Sequence, residues 1–189
     1  MNAPGNEPMG KWGLTDPAAL RQQCLDLNAR GFRTFPVHVT SGTEKRPAVV
    51  GWSDSEVPYR RSEAGRFPFR WGMSLGLLVP PGEVVLDIDQ KPGKKRHGYR
   101  DLRALERRLG PLPRTRAQVT GSGGQHRWFR VVGGLPAHLK PELIVPSGAK
   151  AAIDLVHRGH RYLCLYSQGW LDEPLTDLPE SWHRPVTRA

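Results

Sequence analysis

Cysteine is nearly missing from this sequence, with only Cys24 and Cys164 among 189 residues. Two cysteines cannot build a disulfide framework, and the lack of any Cys-x-x-Cys pair excludes a zinc ribbon. Long apolar runs are missing too. No stretch approaches the roughly 18 apolar residues a spanning helix needs, which excludes an integral helical membrane protein. The opening MNAPGNEPMGKW has neither a basic leader nor an apolar core, so no secretory signal is expected and the setting reads as cytoplasmic. Neither a Rossmann fingerprint nor a P-loop occurs, and no segment repeats. Acidic residues are scarce: 18 Asp and Glu stand against 28 Lys and Arg, a formal charge of +10.

That surplus concerns partners rather than fold. It points to polyanions, with anionic lipid the weakest case because no segment joins a basic face to a clean apolar helical face. Solvated charge kept for solubility is the plain alternative. The basic residues are spread along the chain. Arg60, Arg61, Arg66 and Arg70 fall in one cluster, and Lys91, Lys94, Lys95, Arg96, Arg100 and Arg103 in another.

The 21 glycines and 18 prolines punctuate the chain without making it low-complexity. Residues 1–14 read as a frayed N-terminus, 15–182 as one domain and 183–189 as a tail. A first helix is capped by Thr15 or Asp16, carries Pro17 in its first turn and stops at Gly31, with Leu20, Cys24 and Leu27 as its buried stripe. A strand follows over 32–39, and Pro36 argues for an edge position. Residues 40–72 read as irregular, anchored by Trp52, Phe67, Phe69 and Trp71. MSLGLLV (73–79) and EVVLDID (83–89) read as two strands on a tight connection, and 99–109 as a second helix. TRAQVT with QHRWFRVV, and KAAIDLV with RYLCLYS, read as hairpins. The class is α+β.

Three elements carry chemistry. Asp87 and Asp89 lie two apart in a strand, so both carboxylates project from one face. Such a pair repels unless a cation sits between, and hard Mg²⁺ or Mn²⁺ suits carboxylate oxygen. A solvated strand end is the alternative. In Thr120-Gly-Ser122-Gly123-Gly124-Gln-His126 the glycines permit an anion-binding nest, with His126 following on the outgoing strand. An ordinary glycine-rich hairpin is the alternative there. Asp154 ends an apolar strand and needs a partner, either a salt bridge from Arg158 or a shared site with Asp87 and Asp89. A zinc site from His157, His160 and Cys164 is a weaker idea, and Cys24 reads as a core thiol. Trp128 and Phe129 read as core or as stacking platforms for single-stranded nucleic acid.

VVLDIDQ (84–90), TGSGGQHRWFR (120–130) and IDLVHRG (153–159) with Tyr162, in that order, resemble the primase-polymerase (Prim-Pol) domain of the archaeo-eukaryotic primase superfamily. RGFRTFPVHV, KRPAVVGW and LPESW resemble the edges of that domain, so the likeness spans roughly 15–182. It implies an RRM-like catalytic antiparallel sheet with flanking helices and a small N-terminal α/β module. It also implies template-directed nucleotide polymerisation, a DNA primase/polymerase at work in replication or repair, a mobile element or phage among its settings. By match, Asp87, Asp89 and Asp154 would hold Mg²⁺ or Mn²⁺ as catalytic metal ligands. His126 would touch the triphosphate, Ser122, Gly123 and Gly124 would shape that pocket, and Lys45, Arg46 and Arg158 would join the nucleotide site. Lys94, Lys95, Arg96, Arg66 and Arg70 are expected on the DNA template and primer, with a helicase as a partner in trans. The sequence departs from the family in its basic QKPGKKRHGYR loop and in Gly124, where relatives often carry Ser. A non-catalytic RRM-like binding module and a metal-dependent nuclease stay open as rivals.

Overall fold

The computed structural model describes residues 16–40, 44–54, 57–91, 96–133, 142–158, 161–166 and 169–187. Helix α1 spans Pro17–Ala29. Asp16 caps it, accepting from the N–H groups of Ala18 and Ala19 at 3.3 Å, and Gly31 ends it at φ +94°. Leu20, Cys24 and Leu27 are buried, the stripe their spacing predicts.

Two sheets follow, antiparallel apart from one short pair. The first contains β1 (Thr34–Thr40), β2 (Glu44–Pro47), β3 (Met73–Leu78) and β11 (Tyr162–Cys164), in the order β11-β3-β1-β2. The second contains β4 (Glu83–Ile88), β7 (Ala117–Val119), β8 (Gln125–Arg130), β9 (Glu142–Ile144), β10 (Lys150–His157) and β12 (Thr176–Asp177). Its order is β12-β8-β4-β10-β9, with β7 also on β8. The exception to the antiparallel rule is β12 on β8. A small ribbon joins β5 (Gln90–Lys91) to β6 (Arg96–His97). Helices α2 (Arg61–Ala64), α3 (Gly98–Leu109) and α4 (Glu180–Thr187) complete the elements.

The predicted β7–β8 hairpin and the second helix are present, and several other expectations need correction. The two strands expected within 73–89 are present, and their tight connection carries the chain from β3 in the first sheet to β4 in the second. The hairpin expected of β10 and β11 is not formed, since these strands also lie in different sheets. These two crossings bind the halves together: β3 pairs with β11 on one side while β4 pairs with β10 on the other. Short connections suggest hairpins, but strands buried on both faces recruit other neighbours. Strand β1 is internal, not an edge, although it carries Pro36. The Pro36 carbonyl accepts from Ala48 N–H just past the end of β2, and the imide nitrogen, on the same side of the strand, falls where the ladder is already finishing. The 40–72 stretch contains β2 and α2, and the 133–149 stretch contains β9.

Sheet alternation sorts the core. Val85, Trp128 and Val156 on one face of the second sheet pack with Leu75, Leu77 and Leu163 of the first and with α1. Val84, Leu86, Ile88, Phe129 and Ile153 on the opposite face pack under α3 and Trp182 of α4. Trp128 and Phe129 are thus both core: Trp128 stacks on Trp170 at 4.7 Å, and neither offers a ring to solvent. Arg33 is buried and donates to the carbonyls of Gly51, Trp52 and Val57 at 2.7–3.1 Å, which ties those three residues to the start of β1.

Candidate active site

The second sheet changes character within one two-residue step. Val85 pairs with Trp128 and Val156 in an apolar row across β8, β4 and β10. The next row on the same face is Asp87 paired with His126 on one side and Asp154 on the other. Gln118 of β7 extends that row beyond His126. Period-two alternation, with apolar residues filling the row behind, therefore delivers an imidazole and two carboxylates to one face at the margin of the shared core.

Hydrogen bonds fix the imidazole. The Gln118 side-chain oxygen accepts from Tyr166 N–H at 3.1 Å, and its nitrogen donates to the Cys164 carbonyl at 3.1 Å. These backbone partners set the amide's orientation, so the nitrogen meets His126 Nδ1, 2.8 Å away, as a donor. Nδ1 is then the acceptor and the proton resides on Nε2, which lies 3.4 Å from Asp87 Oδ1. His126 itself is 4% exposed.

Positive charge gathers round the carboxylates. Burial pushes the Asp87 carboxyl up, but the His126 hydrogen bond and the charges of Lys91 and Lys45 outweigh it and hold Asp87 below its ordinary range. Arg161 Nη1 stands 3.4 Å from Asp154 Oδ2. Lys45 of β2 donates to the Tyr166 hydroxyl at 2.6 Å. Burial alone would lower the Lys45 ammonium, yet Cys164, Tyr166 and Asp87 raise it above its ordinary value.

Asp89 sits one residue past the end of β4 and is 6% exposed. Its backbone N–H donates to Ala152, its carbonyl accepts from Gly98 N–H, and Lys91 Nζ lies 2.7 Å from its carboxylate. Two glycines make this packing possible. A Cβ on Gly124 would lie 2.2 Å from the Ile88 carbonyl, and one on Gly98 would lie 2.5 Å from the Asp89 carbonyl. Gly124 therefore stands where a side chain cannot. Ser122 and Gly123 are exposed at the hairpin tip, where Gly123 N–H is bonded to the Thr120 carbonyl.

The other candidates lie apart. Arg46 alternates to the face opposite Lys45, beside its register partner His38, and is exposed. Arg158 is exposed, four residues beyond Asp154 and just past the end of β10. Arg66 and Arg70 are exposed in the segment after α2. Lys94, Lys95 and His160 lie outside the described residues, as does the side chain of Arg96. His157 and Cys164 are buried on strands of different sheets. Among the described residues no three His, Cys, Asp or Glu side chains form a ready-made metal cluster. Gln118, Lys91, Arg161 and Tyr166 are absent from the sequence-based site. A polar Gln118 one register position from His126 was the available signal for the first; the others depend on contacts between distant segments.

The model of Prim-Pol, the bifunctional DNA primase/polymerase N-terminal family, matches residues 24–181. The chain belongs to the Prim-Pol family. The matched span of this Prim-Pol chain includes β1 to β12 and every residue of the Gln118–His126–Asp87–Asp154 row. A comparison with curated proteins finds no match. No helix among the described residues is long and apolar enough to cross a membrane.

Proposed function

We propose that the chain is a nucleotidyltransferase, a DNA primase/polymerase module that adds nucleotides to a strand under the direction of a template. The single observation that carries this reading is the row of His126, Asp87 and Asp154 on one face of the second sheet, beside Lys45 of the first and Tyr166 just past β11. Like charges on facing strands oppose folding unless cations offset them. Family membership adds the activity class. The second sheet, backed by α3 and α4, would be the RRM-like catalytic sheet, and the first sheet with α1 the N-terminal module.

The donor set suits a hard divalent cation. Asp87 and Asp154 offer oxygen ligands from facing positions, and the Lys91 ammonium already sits against Asp89, as a cation would. Asp87, Asp89 and Asp154 would hold Mg²⁺ or Mn²⁺, which when bound as a pair polarise a 3′-hydroxyl and offset charge on the triphosphate. The chain's own groups do the rest. Asp87 stays ionised across the neutral range. His126 would share its Nε2–H, which faces Asp87, with a phosphate oxygen, and Lys45 adds a fixed positive charge nearby. Ser122 and Gly123 would border the nucleotide. Replication or repair, with a helicase acting in trans, is the setting this activity fits.

The test is extension on primed and unprimed templates, with NTP or dNTP and with Mg²⁺ or Mn²⁺, for wild type beside Asp87→Asn and Asp89→Ala. Metal-dependent addition lost in both variants is the expected result. Degradation of labelled DNA without addition would replace the reading with a nuclease. DNA binding with neither reaction would replace it with a binding module.

A further inference from the structure

Trp71 is the one aromatic residue among those described that the fold leaves exposed, at 64%. It occupies the tip of a turn in which Met73 N–H donates to the Arg70 carbonyl at 3.4 Å and Gly72 adopts φ +80°. That turn requires a glycine after the tryptophan and requires nothing of the tryptophan itself. Nor does the segment need it as an anchor, contrary to the sequence expectation. Phe69 is buried, and Phe67 packs edge-on against Tyr59 at 4.8 Å.

Its surroundings are one-signed. Arg60, Arg61, Arg66 and Arg70 are all exposed, and Glu63 is the single acid between Val57 and Gly72. The Glu63 carboxylate accepts from the Arg60 backbone N–H at 2.8 Å, and among the described residues none of the four guanidinium groups has an ion-pair partner. The segment is also held in place. Arg21 of α1 donates to the Gly65 carbonyl and lies 5.0 Å over the Phe69 ring.

The turn hangs from the end of the first sheet that faces the candidate site. Met73, two residues on, is the register partner of His38, whose other partner Arg46 adjoins Lys45. An exposed indole in a segment rich in exposed arginines is the combination that binds unpaired bases through their faces and the backbone through its charge. In a duplex those faces are covered by neighbouring base pairs. Membrane docking needs an apolar face, and here a single ring stands among charges.

We propose that Trp71, with Arg66 and Arg70, is a stacking platform for single-stranded nucleic acid leading to the active site. Its role as a template contact rests on the function proposed above; its affinity for a single strand does not. The probe is fluorescein-labelled oligo(dT) of about 20 nucleotides, followed by anisotropy without divalent cation or nucleotide, over a salt series. Trp71→Ala should weaken binding about tenfold at fixed salt with the salt slope unchanged, and Trp71→Phe should restore most of it. Arg66→Ala with Arg70→Ala should instead flatten the log–log salt slope by about 1.4. Duplex binding should not respond to Trp71→Ala. Trp71→Ala binding oligo(dT) like wild type, or losing duplex and single strand equally, overturns the proposal. So does loss of binding to anionic vesicles with oligo(dT) binding intact. Asp87→Asn should bind oligo(dT) like wild type while failing to extend, so each idea can fail without the other.

Discussion

The Gln118 amide nitrogen lies 2.8 Å from His126 Nδ1, and both side chains are buried. Because Tyr166 N–H and the Cys164 carbonyl fix which way the amide faces, the imidazole is confined to its Nε2–H form. Long-range proton–nitrogen correlation spectra should show an unprotonated Nδ1 in wild type. Gln118→Leu should release both tautomers and, in extension assays, raise the KM for nucleotide about tenfold, the worth of one hydrogen bond to a charged group, with a smaller effect on kcat. A wild-type spectrum with the proton on Nδ1 would refute the assignment.

Asp87 gives a pH prediction with a definite sign. Its carboxyl is held below the ordinary range, with burial opposing and His126, Lys91 and Lys45 prevailing. A folded-state value below the unfolded one means that the ionised form stabilises the fold at pH above about 4, and that this stability fades as pH falls through the folded value. Asp87→Asn should therefore be less stable than wild type at neutral pH, the gap closing in acid. Urea unfolding curves at several pH values check it. A variant more stable than wild type at neutral pH would show that repulsion from Asp154 dominates instead.

Much of this could be read from sequence, and what could not has a common cause. Local signals held: Asp16, Pro17 and Gly31 bound α1, and alternation around Asp87 and His126 sets the sheet faces. Signals that depend on a strand's choice of partner failed. KAAIDLV and RYLCLYS look like a hairpin, yet β10 and β11 separate into different sheets, since burial on both faces demands neighbours that a short link cannot specify. The site divided in the same way. Asp87 and Asp154 were visible because each interrupts an apolar strand, although Asp154 lies inside β10 and not at its end as its sequence suggests, and His126 was visible because it follows the glycine turn at the start of β8. Gln118, Lys91 and Arg161 were not, because their importance lies in what they touch. Lys45 and Arg46 were read together, and strand alternation sends them to opposite faces.

Neighbouring glycines in the β7–β8 hairpin should respond differently to alanine. Gly123 has φ +79° with open space where a Cβ would go, so Gly123→Ala costs about 1 kcal/mol from backbone conformation alone. At Gly124 a Cβ would meet the Ile88 carbonyl at 2.2 Å and Gln90 N at 3.2 Å, and both are backbone atoms that cannot rotate away. Gly124→Ala should cost about 3 kcal/mol or more, through displacement of the strand end that bears Asp89. Chemical denaturation separates the two. Equal stabilities would mean that the hairpin, not the close approach to β4, sets the need for glycine.

Lys45 is the side chain through which the first sheet meets the acidic row of the second. It donates to the Tyr166 hydroxyl at 2.6 Å, and Tyr166 in turn lies 5.9 Å, ring to ring, from His126. Burial works against its charge, but Cys164, Tyr166 and Asp87 together raise it above its ordinary value. A raised lysine contributes stability in full below its unfolded value near 10.4 and loses it as pH climbs through the folded one. Lys45→Met should therefore destabilise by about 1–2 kcal/mol at neutral pH, with the deficit shrinking in strong alkali. Tyr166→Phe should cost about 1 kcal/mol, and the double variant less than the sum of the two, because the shared hydrogen bond is lost only once. Strict additivity in the cycle would mean that the two side chains act separately, and Lys45 would then serve the site through its charge alone.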